Sequence, residues 1–323
     1  MAETRPPVRI AILGAQDPLG EAVMALLTER DIAVDELIPL SLEETDDVVE
    51  FAGNELAIGK VEGFDWRAVD ALIAATHDAA ARRHIESAAN QGCPVVCLLN
   101  DLDARADGVV RVASGLALAA AQVLKPIARK AGLQSVDVFA ALPVSLAGKP
   151  GVEELAVQTR SVFNLDVAET EIFPVRIAFN MIPQVGKPLA NGDIDSEALS
   201  AADLRERLGM PQLPVMVTAT WAPMFYGAAL AIHGTTERDC GRSDLRDWLS
   251  QASGVIVMDE ALLGGVPTPY TEAQENEDVF VGRLRTEAVA GRRFALWMVC
   301  DVIRLEAARM VDQIENLIEK KAK

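Results

Sequence analysis

The segment Val8-Arg9-Ile10-Ala11-Ile12-Leu13, followed at once by Gly14 and a helical pattern from about Leu19 to Arg30, constrains this chain most. A short, nearly uninterrupted apolar run reads as a strand buried on both faces, and such strands belong to parallel sheets covered by helices. The rhythm continues. Glu36 to Leu40 and Val69 to Ala75 read as strands, Ala79 to Asn90 as a helix, and Pro94 to Leu99 as a further strand. Strands alternating with helices predict an α/β fold with a doubly wound parallel sheet over roughly the first 110 residues.

At 323 residues the chain is about twice an ordinary domain, and half its residues are hydrophobic, enough for a second core. Ser114 is placed to cap an Ala-rich helix from about Leu116 to Ala131. Ser135 to Leu146 reads as a long strand. Further strands are expected at Val175 to Ile182, Val215 to Trp221, Gly254 to Met258, Val279 to Arg285 and Phe294 to Val299. The last helix, Asp301 to Lys320, carries Ile303, Ala307, Met310, Val311, Ile314 and Leu317 at helical spacing, which is a packing face. These patterns divide the chain into residues 1–111, 112–300 and 301–323.

Composition excludes some functions. A net charge of −18 argues against nucleic acid and anionic membranes as partners, since both need clustered Lys and Arg. No stretch approaches the about 18 apolar residues of a spanning helix, and Met1 to Arg5 lacks a signal-peptide layout. The first few residues and the Lys320–Lys323 tail read as disordered. Cys93, Cys97, Cys240 and Cys300 form neither a disulfide framework nor a zinc spacing. The expectation is a cytoplasmic protein with no metal site and with its cysteines in the core.

Three runs carry a resemblance. Pro143-Val144-Ser145-Leu146-Ala147-Gly148-Lys149-Pro150-Gly151 is followed by Glu153-Glu154-Leu155 and Gln158-Thr159. Upstream lies Leu124-Lys125-Pro126-Ile127, and downstream Thr220-Trp221-Ala222-Pro223-Met224-Phe225-Tyr226-Gly227-Ala228. Together they closely resemble the aspartate-semialdehyde dehydrogenase family. So do Ala178 to Pro183, Val266 to Pro269, Asp278 to Arg285 and Asp301 to Ala308, so that the likeness covers nearly the whole chain. It implies a Rossmann-type first domain, a mixed-sheet α/β second domain forming a homodimer, and a C-terminal helix returning to the first domain. Only the fragment from Asn100 to Val110 is shorter than the family's phosphate-binding segment.

The resemblance also implies a reaction. A thiolate attacks the aldehyde, hydride passes to NADP, and phosphate cleaves the thioester. That chemistry needs a side chain that is both nucleophile and leaving group. The family's Cys falls at Gly115, its substrate-gripping Arg at Trp221 and its general-base His at Ala228. Ser114, one residue off, is unactivated, and His233 is the only nearby imidazole for a rescue base; His77 and His84 read as structural. Val302 and Glu306 stand where the family has Asn and Gly, and Leu199 or Ser200 where it has Lys. Gln158 alone is retained, at a position that lines the family's active site.

The loop Gly14-Ala15-Gln16-Asp17-Pro18-Leu19-Gly20 sits where the family's pyrophosphate meets bare backbone N–H groups and a helix N-terminus. Gly14, Ala15 and Gly20 are the candidate cofactor-binding residues. Asp17, however, stands at the middle glycine, where a carboxylate repels phosphate by about 1 to 4 kcal/mol at about 4 Å. After strand two, Glu43-Glu44-Thr45-Asp46-Asp47 disfavours the 2′-phosphate of NADP. An acid there suits the ribose hydroxyls of NAD, or the loop closes a fold without any cofactor. Such a pattern is similar to the Usg-type bacterial homologues. The first expectation is a non-catalytic dimer that binds a small molecule or partner protein; the alternatives are an NAD-dependent oxidoreductase of altered chemistry and ordinary aspartate-semialdehyde dehydrogenase activity.

Overall fold

The structure, a computed structural model, describes residues 8–99, 108–287 and 291–321. Most of the Asn100–Val110 fragment, the first residues and the end of the Lys320–Lys323 tail lie outside them. Two compact units result, Met1–Val112 with Glu306–Lys323, and Ala113–Leu305.

In the first unit β1 (Arg9–Leu13) leads into α1 (Pro18–Glu29), and β2 (Glu36–Ser41) into a hairpin of β3 (Val48–Phe51) and β4 (Asn54–Ala57). There follow β5 (Gly59–Lys60), β6 (Ala71–Ala74), α2 (Arg82–Asn90), β7 (Val95–Cys97) and β8 (Val109–Arg111). Six strands form a wholly parallel sheet in the order β5-β2-β1-β6-β7-β8. Ile10, Ile12, Leu13, Leu72 and Ile73 are fully buried in it, as an apolar run covered on both faces requires. The chain moves outward from β1 to β2 and then returns to β6 on the other side of β1. That reversal makes the carboxyl ends of β1 and β6 the crest where such sheets hold ligands.

The second unit opens with α3 (Gly115–Ala131), β9 (Ser135–Leu142) and α4 (Gly148–Phe163). It continues with α5 (Asp195–Leu208), β10 (Val215–Trp221), β11 (Ala228–Thr235), α6 (Arg242–Ser250), β12 (Val255–Val257), β13 (Val279–Thr286) and β14 (Arg293–Cys300). The final helix, α7 (Val302–Lys321), begins in this unit and runs into the first. The sheet order is β10-β9-β11-β14-β13-β12, with antiparallel pairing in the middle and a parallel pair at each edge. Helices α3, α5 and α6 pack together on one face. The opposite face leaves Phe139, Met216, Thr218, His233, Ile256 and Arg285 exposed.

One expected strand does not form. Residues 175–182 are irregular apart from a bridge between Ile182 and Trp221. Their alternation is apolar enough, but the backbone donors of Ile177 and Ala178 go to the Gln158 side chain instead of a ladder, and Phe179 adopts φ +60. The long strand expected to Leu146 stops at Leu142, before Pro143 and a 3-10 turn over Val144–Ala147.

Candidate functional site

The turn between β1 and α1 keeps its two glycines for steric reasons. Gly14 has φ +83, and a Cβ there would lie 2.8 Å from the Ala75 carbonyl oxygen. A Cβ on Gly20 would run into the Gly14 carbonyl, so α1 can approach the turn only with glycine there. The turn's one charged side chain, Asp17, is acidic, however. The Asp17 carboxylate folds back to within 3.1 Å of the point a Gly14 Cβ would occupy. Just after β6, His77 Nε2 lies 3.2 Å from Glu306 Oε2 on α7. Burial alone would lower the His77 pKa, but the neighbouring Glu306 and Asp17 carboxylates outweigh it and leave it raised. Beside this crest, Ser41 is buried and accepts from Gln16 Nε2 at 2.7 Å.

In the second unit, Gly115 and Ala228 are both buried. A Cβ built on Gly115 would lie 2.8 Å from Val302 Cβ and 2.9 Å from the Val302 carbonyl carbon, with its oxygen nearer still. The start of α3 therefore packs directly on the start of α7. Asp301 fixes the α7 side, accepting from Arg304 N and Glu275 N at 3.0 Å each, and burial raises its pKa despite those bonds. Ser114 fixes the α3 side. Its hydroxyl caps the helix by accepting from Ala117 N at 3.4 Å, as the sequence led us to expect, and its N–H donates to buried Asp203 Oδ2 at 2.9 Å. Ser200, at one of the two positions matched to the family's Lys, lies 3.3 Å from Ser114 Oγ. An internal carboxylate thus meets the N-terminus of α3, where the positive end of the helix dipole favours an anion. Asp203 could not be singled out from the sequence, because nothing local marks it.

Ala228 pairs with Cys300 across β11 and β14. Burial and neighbouring Asp301 push the Cys300 thiol up, and burial brings Cys97 to about 11, so neither is a ready thiolate. Cys240 is likewise raised by burial, and all four cysteines are buried and outside any disulfide. His233 does not fit a rescue role. It lies five residues beyond Ala228 on the same strand, and an odd spacing turns it to the opposite, open face, across from Asp137. Trp221 packs edge-on against Phe173, with ring centroids 5.4 Å apart.

Gln158 does not line an open site. It is fully buried, donating to Glu154 Oε1 at 2.7 Å and the Glu169 carbonyl at 2.8 Å, and accepting from Ile177 N at 2.8 Å and Ala178 N at 3.1 Å. All its polar capacity goes to fastening the loop after α4. Among the described residues, no group of three or more His, Cys, Asp or Glu side chains is arranged to hold a metal ion.

A parallel sheet with a glycine turn at its switch point, followed in the chain by a mixed sheet whose second face is partly exposed, defines a two-part chain with a Rossmann-type first unit. Known proteins match that division. The family described as "Semialdehyde dehydrogenase, NAD binding domain" matches residues 9–131, and "Semialdehyde dehydrogenase, dimerisation domain" matches residues 124–305. The chain belongs to the semialdehyde dehydrogenase family. It is 29% identical to aspartate-semialdehyde dehydrogenase 2 of Vibrio cholerae, over 96% of this chain and 97% of that one. It is 30% identical to a USG-1 protein homolog of Pseudomonas aeruginosa, over 94% and 95% respectively. The crystal structure of aspartate semialdehyde dehydrogenase II complexed with ASA from Vibrio cholerae superposes with a TM-score of 0.88 at 28% identity, covering 97% and 98%.

Proposed function

We propose that this chain is a non-catalytic member of the family, a cytoplasmic homodimer that binds a small molecule or partner protein. The observation that carries the reading is the closed space at Gly115. The matched nucleophile position not only lacks a thiol but has the Val302 backbone where a Cβ would begin. The matched base position holds Ala228, and the nearest imidazole along β11 faces the other side of the sheet.

The crest of the first unit supports the same reading. Pyrophosphate needs free N–H groups and a positive field, and the residues here do not fit it, since Asp17 lies over Gly14 and Glu306 faces His77. NADP is disfavoured further by Glu43, Glu44, Asp46 and Asp47 after β2. The open face of the mixed sheet, with Phe139 and Ile256 about two-fifths exposed and Met216 more, supports the homodimer. Among the described residues no helix is long and apolar enough to cross a membrane.

The intact Gly14–Gly20 turn favours the second reading, an NAD-dependent oxidoreductase of altered chemistry. Calorimetric titration with NAD, NADH and NADP separates the two, alongside an assay for oxidation of aspartate semialdehyde, the substrate named for the relatives. The non-catalytic reading expects no heat with any of the three and no turnover. Saturable micromolar binding of NAD would overturn the cofactor-free reading, and turnover would overturn the whole proposal.

A further inference from the structure

The exposed part of the mixed-sheet face holds a cavity of about 290 Å³ near the end of β13 and the start of β14. Asp137, His233, Arg285, Glu287, Arg293 and Ala295 are among its lining residues. Strand pairing puts Asp137 opposite His233, His233 opposite Ala295, and Ala295 opposite Arg285. One row therefore crosses β9, β11, β14 and β13 with an acid at one end and a guanidinium at the other. The ends are about 14 Å apart at the backbone, three strand spacings, and the small Ala295 leaves room between them. Arg293, two residues before Ala295 on the same face of β14, adds a second guanidinium.

Arg285 reaches this face only through a bulge. Gly282 pairs with Trp297 and Arg285 with Ala295, so the register shifts by one residue between them. That extra residue turns Arg285 away from the helix-covered face of the sheet. Arg283, within the bulge, takes φ +51, a left-handed conformation that is costly for any residue but glycine. Among the described residues, the side chains of Asp137, His233, Arg285 and Arg293 make no hydrogen bond or ion pair, whereas Arg292 pairs with Asp239 and Arg242 with Asp259. A strained backbone thus aims an unpaired cation into a cavity that already holds another.

We propose that this cavity binds a small zwitterion of the amino-acid type, its carboxylate against Arg285 and Arg293 and its ammonium toward Asp137. The charges select the class. Two guanidinium groups favour a carboxylate, which each can grip through paired N–H groups. Asp137 and Glu287 repel a polyanion such as phosphate and supply the acceptors that an ammonium needs. His233 stands between the two ends, where a neutral imidazole both donates and accepts. The volume lies at the small end of the range for ligand pockets, about 300 to 1,000 Å³, which suits an amino acid and not a dinucleotide. The cavity is complete within one chain, and Phe139, Met216 and Ile256 of the proposed dimer face do not line it. It gives the small-molecule part of the proposed function a place and a chemistry, but it does not rest on the loss of catalysis.

The test is a thermal-shift screen of the twenty common L-amino acids against the full chain. Calorimetric titration then follows for those that raise the midpoint, with inorganic phosphate and butylamine as probes carrying charge of one sign. We expect saturable binding of at least one amino acid. Arg285→Gln and Asp137→Asn should each weaken it about tenfold or more, the scale of a charge-assisted hydrogen bond. Both positions are exposed, so the unliganded midpoints should not move; Arg293→Gln serves if Arg285→Gln does not fold. No saturable binding by any of the twenty, or binding indifferent to these substitutions, would overturn the proposal. Phosphate bound as tightly as any amino acid and unaffected by Asp137→Asn would overturn it too, by marking a plain anion site.

Discussion

Under the non-catalytic reading proposed above, Gly115→Cys should place a thiol at the matched nucleophile position without producing turnover. The first added atom is the obstacle. It would sit 2.8 Å from Val302 Cβ and 2.9 Å from the Val302 carbonyl carbon, closer than side-chain carbons approach such groups in real structures. Rotating the new side chain does not help, because Cβ is fixed by the backbone. Neither partner yields easily, since Asp301 holds the start of α7 through Arg304 N and Glu275 N, and Asp203 holds Ser114 N. Overpacking of this kind costs about 1 to 3 kcal/mol. In a unit of this size that lowers the melting temperature by about 2 to 12 °C, at roughly 2 to 4 °C per kcal/mol. Gly115→Ala introduces the same Cβ and should cost about the same, which separates the steric argument from any effect of sulfur. The assay is calorimetric melting of both variants, with thiol labelling of Gly115→Cys under native conditions. A Gly115→Cys protein as stable as the wild type, with a thiol that labels within seconds, would refute the closed-space argument. Turnover of aspartate semialdehyde by Gly115→Cys with Ala228→His would refute it more severely.

Other consequences are as direct. Gln158→Ala leaves the Ile177 and Ala178 amides without their acceptor, at about 1 to 3 kcal/mol for each buried group; we expect strong destabilisation and earlier proteolysis within residues 164–182, whereas a Gln serving only a substrate would leave both unchanged. Phe139→Asp on the exposed part of the sheet face should convert the proposed dimer to monomer in sedimentation at micromolar concentration without lowering the monomer's helix content. An unchanged sedimentation profile would move the interface elsewhere. Wild-type protein should resist thiol reagents at pH 8 until it unfolds, because the four cysteines are buried and a thiol at about 11 is ionised on the order of once in a thousand molecules. Rapid labelling of one native thiol would count against this account of the core.

The sequence disclosed most where the backbone obeys local rules. Fully buried runs such as Ile10–Leu13 and Ala71–Ala74 stand out as parallel strands because both faces must be apolar. Ser114 could be read as a cap because capping is decided within one turn. Strand β11 was not legible: Ala228–Thr235 is rich in alanine and glycine, and lies in the middle of its sheet by pairing with β9 and β14 instead of by propensity. The hairpin of β3 and β4 was hidden by its charges, its turn made by Ala52 and Gly53, both at positive φ.

The site divides in the same way. The residue that stands at a matched position can be read from the sequence alone, as at Gly115 and Ala228. What fills the space afterwards depends on residues distant in the chain: Val302 against Gly115, Asp203 at the start of α3, and Glu306 against His77. In each case a group from a distant part of the sequence occupies the space, and no local pattern marks it. On the non-catalytic reading proposed above, a side chain at residue 115 would therefore require shifts in α3 and α7, because the Val302 backbone stands where its Cβ would begin.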